Sequence, residues 1–142
     1  MLENIDVQFL PHTADVRMQV SAPTIEELFT GALCGMNQLI KPRFCNSSKP
    51  LDVAEVIQVH SLNRSCLVID VLSEILTLTQ IQKTVFCELT IQKLSPISLT
   101  GSLHGAKVFD GFDEDLKAVT YHEAQINQDA KLNWTITIIF DI

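Results

Sequence analysis

Residues 134–142 read WTITIIFDI and carry the clearest structural pattern in the chain. Every second side chain from Trp134 to Phe140 is apolar, and the positions between them hold two threonines and Ile139. A period of two is typical of a β-strand with one face on a hydrophobic core. We therefore predict a C-terminal strand, on which the side chain of Asp141 lies on the face opposite to the apolar one.

Similar patterns recur earlier in the chain. Residues 16–20 and 85–92 alternate apolar with polar side chains, and residues 51–60 and 97–103 also fit strands. Each of these segments is short enough for a single strand of a globular domain. They predict a β-rich protein with most strands in its second half.

Two further segments predict helices. In the first, Thr24 and Glu27 form a T-x-x-E capping box, and apolar residues follow at helical spacing as far as residue 40. Pro42 prevents much continuation of this helix. The second helix is predicted over residues 64–80 and is apolar nearly all round, so we expect it to be buried on most sides.

The order of these elements defines the fold class. An early hairpin is followed by two helices that a strand separates, and then by several consecutive strands. This order indicates an α+β fold in which two main helices pack on a largely antiparallel sheet, rather than an alternating βαβ array. The length of 142 residues fits a single domain that spans residues 1–142.

Composition and charge exclude several classes of protein. Hydrophobic residues make up 46% of the chain and charged residues 19%, which suits a folded core and argues against disorder. No apolar run approaches the roughly 20 residues that span a bilayer, and no secretion signal is recognisable. We therefore expect a soluble, cytoplasmic protein without membrane contact. The net charge of −7 disfavours direct binding of nucleic acid, because phosphate contacts need lysine and arginine.

The cysteines suggest no metal motif and no disulfide framework. None of them forms a C-x-x-C pair, and none lies near a histidine at the spacing of a zinc site. A cytoplasmic protein keeps its thiols reduced. We therefore expect reduced side chains at Cys34, Cys45, Cys66 and Cys87.

The C-terminus offers a cluster of acids. Asp141 is followed only by Ile142, whose main chain carries a carboxylate. Two adjacent carboxylates favour a bound cation or the protonation of one of them, and calcium and magnesium prefer oxygen ligands of this kind. If Asp15 lies on a neighbouring strand, three carboxylates meet. The alternatives are a hairpin connection in which Asp15 bonds to its own backbone, and a solvated end of the chain.

Other polar residues are weaker candidates for a functional site. His12 and Thr13 precede the first acid and are able to bind a ligand or form hydrogen bonds. Lys117 could contact a phosphate or a partner's carboxylate, and Thr120 and His122 fall on one strand face. Without further information, an ordinary strand with a polar edge is the favoured interpretation of the segment that holds these last three residues.

Two acids lie four residues apart on the second predicted helix. Asp70 and Glu74 therefore share a helix face. For Asp70 we expect a solvated stripe on the surface. Glu74 could point towards the terminal acids and act as an outer ligand of the ion.

Five motifs in register resemble those of the archease family. Residues 12–16 (HTADV) are similar to its H-T-A-D motif, residues 117–122 (KAVTYH) to its K-A-[VI]-T-Y-H segment, and residues 140–142 (FDI) to its ending. Residues 25–29 (IEELF) and 72–76 (LSEIL) resemble two helical stretches of the family. The motifs occur in the family's order and extend over the whole chain.

The resemblance implies a specific role. Archeases assist the RtcB-type RNA ligase, which joins tRNA halves; they promote guanylylation of the ligase and its multiple turnover, and they are not known as enzymes themselves. The resemblance also implies a divalent ion, Ca²⁺ by the family's precedent, bound by Asp15, Asp141 and Ile142; Mg²⁺ or Mn²⁺ could occupy the same oxygen ligands. RNA would be reached only indirectly, through the ligase. Residues that could contact the partner or support the ion are His12, Thr13, Lys117, Thr120, His122 and Glu74.

Two departures from the family pattern and two alternative functions accompany this resemblance. Arg17 stands where many members have glycine, which we expect to alter only a strand residue, and residues 107–115 form a shorter, more acidic loop to which we transfer no role. A metal-dependent hydrolase could use the same acids, although no nucleophile–base pair is recognisable. A chaperone-like scaffolding module would need no metal. The sequence does not define an oligomeric state.

Overall fold

The structure, a computed structural model, describes residues 4–10 and 15–142 of the chain. Its elements, in chain order, are β1 Asp6–Leu10, β2 Asp15–Ala22, α1 Ile25–Ile40, a 3₁₀ turn Phe44–Asn46, β3 Val53–His60, α2 Arg64–Gln82, β4 Thr84–Ser95, β5 Ser98–Lys107, β6 Ala118–Thr120, β7 Asn127–Gln128 and β8 Trp134–Asp141.

The strands form two antiparallel sheets. The first has the order β1-β2-β8-β6, with β7 also pairing with β8, and the second has the order β3-β5-β4. The α+β prediction is confirmed, and both predicted helices are present. The division into two sheets was not predicted, because alternation shows which face of a strand is buried and not which strands pair.

Helix α1 begins at its predicted capping box. The Thr24 hydroxyl accepts a hydrogen bond from the Glu27 amide at 3.1 Å and donates one to the Glu27 carboxylate at 3.0 Å. The first of these bonds occupies an amide that the first helical turn leaves free, and the second orients the Thr24 hydroxyl. The helix ends at Ile40, two residues before Pro42.

Two small residues let α1 lie close against strand β2. A Cβ atom added at Gly35 would overlap the sulfur of Met18, and one added at Gly31 would come within 2.9 Å of Val20 Cγ1. Met18 and Val20 are fully buried. The core-facing side of β2 is therefore fixed by the helix, and its other side is left for the candidate site.

Helix α2 is buried on most sides, as its apolar sequence predicted. The Asn63 side chain caps its first turn by accepting a hydrogen bond from the Cys66 amide at 2.9 Å. The helix is long and apolar enough to resemble a membrane span, but the core helix of a soluble domain has the same character. Here the following side chains are at most 1% exposed within the core: Leu67, Val68, Ile69, Val71, Leu72 and Ile75.

Two of the four cysteines are joined, which corrects the expectation that all are reduced. Cys45, in the 3₁₀ turn, and Cys87, in β4, form a disulfide with their Cα atoms 5.6 Å apart. The two residues are 42 positions apart in sequence, so only tertiary packing brings them to the distance that a disulfide needs. Cys34 and Cys66 are free, as predicted.

Candidate functional site

The pairing of β2 with β8 brings the two motif aspartates together. In this antiparallel ladder Asp15 lies directly opposite Asp141, and Val16 lies opposite Phe140. Phe140 is fully buried, so the aspartates belong to the sheet face that points away from the core. Residues directly opposite each other on antiparallel strands have Cβ atoms about 4.5–5.5 Å apart. The condition that Asp15 should lie on a neighbouring strand is therefore met.

Strand β8 is held on both sides up to its last residue. Opposite its pairing with β2, it pairs with β6, where Ala118 is the partner of Asp141. The Lys117 amide donates a hydrogen bond to the carbonyl oxygen of Asp141 at 2.8 Å. Asp141 is thus a paired strand residue and not part of a frayed end. Ile142 follows it directly, with 42% of its surface exposed.

The chemistry of this cluster is that of an oxygen donor set. Asp15 is half-buried and Asp141 is exposed. Like charges directly opposite each other on a ladder are destabilising, and a divalent cation would neutralise them. In the described part of the chain no three side chains of histidine, cysteine, aspartate or glutamate cluster as metal ligands. The two opposed carboxylates offer oxygen donors of the kind that Ca²⁺ and Mg²⁺ prefer.

An ion pair crosses the sheet beside the two aspartates. Arg17 lies two residues after Asp15 on the same strand face, and its guanidinium contacts the Glu123 carboxylate at 2.6 Å. In the ladder, Arg17 is paired with Ile139, whose other neighbour is Thr120 on β6. Glu123 lies beyond β6, so the Arg17 side chain extends over Ile139, which is only 2% exposed. Arg17 is therefore more than an altered strand residue.

The remaining candidates lie at different distances from the aspartates. Lys117 is exposed next to the β6–β8 pairing, while the Thr120 hydroxyl accepts a hydrogen bond from the His122 amide at 3.3 Å. Glu74 is exposed on α2, which packs on the core side of the strands, away from the face of the aspartates. His12 and Thr13 lie outside the described residues.

Sequence reasoning missed two polar contacts. Glu123 was not singled out, although it directly follows the KAVTYH motif and bonds to Arg17. Asp70 was expected to be part of a solvated stripe, but the hydroxyl groups of Ser61 and Tyr121 both donate hydrogen bonds to it. The only sequence signal for the second contact was an acid on an otherwise apolar helix.

The fold and the site together define a class of protein: an antiparallel α+β domain with paired acids at the end of a central strand. Residues 8–142 match the Archease protein family (MTH1598/TM1083), and the chain belongs to this family. The protein archease of Methanosarcina barkeri is 31% identical over 144 residues, which cover 95% of this chain and 94% of the relative. That of Pyrococcus furiosus is 29% identical over 139 residues, with coverages of 92% and 94%.

Two solved structures share the fold. The solution structure of Methanobacterium thermoautotrophicum protein 1598 has a TM-score of 0.76 at 22% identity and covers 96% of this chain and 98% of its own. A crystal structure from Thermotoga maritima, called an archease and possible chaperone, has a TM-score of 0.64 at 18% identity and covers 94% of each chain. At these identities the likeness supports the fold alone.

Proposed function

We propose that this protein activates an RtcB-type tRNA-splicing RNA ligase, and that it acts through a divalent ion bound by Asp15, Asp141 and the main-chain carboxylate of Ile142. The observation that carries the proposal is the register in which Asp15 is directly opposite Asp141. Membership in the archease family supports the role with the ligase. In this proposal the protein is not itself an enzyme, works in the cytoplasm and meets RNA only through the ligase.

The proposed ion is Ca²⁺, with Mg²⁺ or Mn²⁺ as alternatives for the same oxygen ligands. Its chemical contribution would be positive charge on a surface where two carboxylates otherwise repel anions. The backbone of Asp141 is already engaged, because its carbonyl oxygen accepts the Lys117 amide. This bond fixes the strand end, so that the Asp141 side chain and the last main-chain carboxylate remain for the ion. Lys117, exposed beside them, would add a cation for a phosphate or a carboxylate of the ligase.

The test is stimulation of ligase guanylylation by Asp15→Asn and Asp141→Asn variants. Both substitutions keep the side-chain volume and replace a charged ligand oxygen by a neutral one. We expect stimulation to fall roughly tenfold or more, because the number of ligand charges sets the affinity for Ca²⁺. Asp52→Asn, an exposed aspartate before β3, is the matched control and should stimulate normally. Circular dichroism and thermal melting establish that each variant is folded. Normal stimulation by both site variants would contradict the proposal.

A metal-free scaffolding role is the second candidate, and the Thermotoga maritima structure is called an archease and possible chaperone. The two roles differ at Ile142. Deleting Ile142, or amidating its carboxylate, should weaken binding of Ca²⁺ and reduce stimulation if the main chain is a ligand. A scaffold without metal would be unaffected by both changes. Steady turnover of phosphoesters by the pure protein with Mg²⁺ or Mn²⁺ would instead support a metal-dependent hydrolase.

A further inference from the structure

A depression of about 580 Å³ lies beside the first half of α2, where the end of β3 meets the segment after β6. It is separate in its residues from the metal centre proposed above, and none of the functions considered so far uses it. Its lining combines one acid with hydroxyl, thiol, imidazole and apolar groups: His60, Ser61, Leu62, Cys66, Asp70 and Tyr121.

The acid in this pocket is held in a fixed orientation. The Ser61 hydroxyl donates to one carboxylate oxygen of Asp70, and the Tyr121 hydroxyl donates to the other. The hydrogen bond to Asp70 is the main cause that raises the pKa of Tyr121 above its ordinary value. An ionised carboxylate offers about four acceptor directions over its two oxygens. One direction on each oxygen therefore remains for a ligand with two parallel donors.

The rim of the pocket is apolar and exposed. Leu62 is 90% exposed and Tyr121 is 59% exposed. A planar cation on an aliphatic stem suits such a surface, since it stacks on an aromatic ring and lays its methylene groups on apolar neighbours. A guanidinium group also presents the two parallel N–H donors that a carboxylate accepts.

We propose that this pocket binds an arginine side chain of a partner protein, with the guanidinium bidentate on Asp70 and stacked on Tyr121. Charge complementarity supports a cationic occupant, because the chain carries a net charge of −7. A nucleotide base could offer similar donors, but its phosphates are disfavoured by the same charge. A metal ion is a poorer fit, since no cluster of three metal-ligating side chains occurs within residues 4–10 and 15–142.

The test is an NMR titration of the ¹⁵N-labelled protein with the peptide acetyl-Gly-Arg-Gly-amide. We expect shifts centred on Ser61, Cys66 and Asp70. Asp70→Asn should weaken binding roughly tenfold or more, because it removes the negative charge that strengthens the hydrogen bonds from the guanidinium. Glu74→Gln is the matched control: it removes the same charge from the same helix four residues later, outside the pocket, and should bind as the wild type does.

Two further measurements test the proposal even if Asp70→Asn fails to fold. Tyr121→Phe keeps the ring and removes the hydroxyl that orients Asp70, so the affinity should fall by roughly three- to tenfold. In the wild type, the Arg peptide should slow alkylation of Cys66, which lines the pocket. It should not change the alkylation of Cys34, which lies on α1 outside the pocket.

Several results would overturn the proposal. One is equal binding of acetyl-Gly-Lys-Gly-amide, because lysine lacks the bidentate geometry. A second is a loss of peptide affinity in Glu74→Gln equal to that in Asp70→Asn. A third is tighter binding of guanosine monophosphate than of the peptide at the same residues, and a fourth is binding of free arginine without binding of the peptide. Loss of ligase stimulation in the Asp15 and Asp141 variants has no bearing on this outcome, so the two proposals fail independently.

Discussion

Asp15 and Asp141 face each other across the ladder of β2 and β8, on the side of the sheet that points away from the core. Two like charges in this position oppose folding by about 0.2–1 kcal/mol when nothing neutralises them. A bound cation reverses the effect, because a ligand that binds only the folded state stabilises it. If the proposed ion binds here, the aspartate pair should lower stability without the ion and raise it with the ion.

Asp141→Asn should show this reversal in thermal unfolding. In EDTA we expect the variant to be slightly more stable than the wild type, by up to about 1 kcal/mol. With Ca²⁺ at 100 times its dissociation constant, the wild type should gain about 2.7 kcal/mol, and the variant should gain much less. Asp52→Asn serves as the control and should follow the wild type in both buffers. Equal calcium stabilisation of Asp141→Asn and the wild type would argue against the metal centre.

The Arg17–Glu123 contact should matter more through packing than through charge. Arg17 is 26% exposed and Glu123 is 43% exposed, and an ion pair at such a surface contributes about 0–1 kcal/mol. Glu123→Gln should therefore cost little in urea unfolding. Arg17→Ala should cost about 1 kcal/mol more, because it uncovers the apolar side chain of Ile139. Arg17→Met keeps an apolar stem and should fall between them; equal losses in Glu123→Gln and Arg17→Ala would show that charge dominates.

Lys41 ties the end of α1 to the acidic loop after β5. Its ammonium lies 3.2 Å from the Asp110 carboxylate and 3.4 Å from that of Asp113. The hydrogen bond from Lys41 lowers the pKa of Asp110 below its ordinary value, and the reciprocal bond raises the pKa of Lys41. A carboxyl with a lowered pKa stabilises the fold above its ordinary pKa and loses that contribution as the pH falls through the lowered value. The raised pKa of Lys41 stabilises the fold below the ordinary pKa of lysine, and this contribution is lost only as the pH rises to strongly alkaline values.

Replacing Lys41 by methionine should raise the pKa of the Asp110 carboxyl towards its ordinary value, while the backbone hydrogen bond at Asp110 continues to lower it. The expected change is a rise in its pKa, measured by carboxyl ¹³C shifts during an acid titration. Below neutral pH, the free energy of unfolding should lose the part of its pH dependence that the Asp110 carboxyl contributes. Lys131→Met, which removes a lysine elsewhere on the surface, should leave the Asp110 titration as it is in the wild type. A titration unchanged by Lys41→Met would refute the assignment of the shift to this bond.

The Cys45–Cys87 disulfide should contribute about 2–4 kcal/mol, since a cross-link of this kind reduces the freedom of the unfolded chain. Cys45→Ser should therefore unfold at lower urea concentration, and reductant should bring the wild type towards the variant. Cys34→Ser changes a free thiol and should respond to reductant as the wild type does. Counting thiols in the denatured, unreduced protein checks the bond directly: two reactive thiols are expected, and four would exclude the disulfide.

Local features of this fold were predictable from the sequence, and distant contacts were not. The start of α1 depends on Thr24 and Glu27, three residues apart, and the prediction was correct for its position and for the bond between the Thr24 hydroxyl and the Glu27 amide. The opposition of Asp15 and Asp141 was predicted only on condition that their strands are neighbours, since the alternation of β8 shows its buried face and not its partner. The family motifs narrowed the choice to these two acids.

Two of the contacts that escaped prediction join residues far apart in the chain. Arg17 and Glu123 are 106 positions apart, and Asp70 and Tyr121 are 51 apart. Such residues come into contact only because whole helices and strands pack together, and no short spacing in the sequence predicts the contact. The disulfide was missed for the same reason, and the expectation of reduced thiols rested on the compartment rather than on geometry.

Strand β8 is last in chain order, yet it lies between β2 and β6 in the first sheet. During synthesis from the N-terminus, β2 and β6 emerge with unpaired edges, and such edges invite pairing with other chains. The sheet can close only after residues 134–141 have been made. A nascent or prematurely terminated product that lacks these residues should therefore be prone to aggregate. Because the pairing of β2 with β8 brings Asp15 opposite Asp141, the candidate site forms only when the sheet is complete.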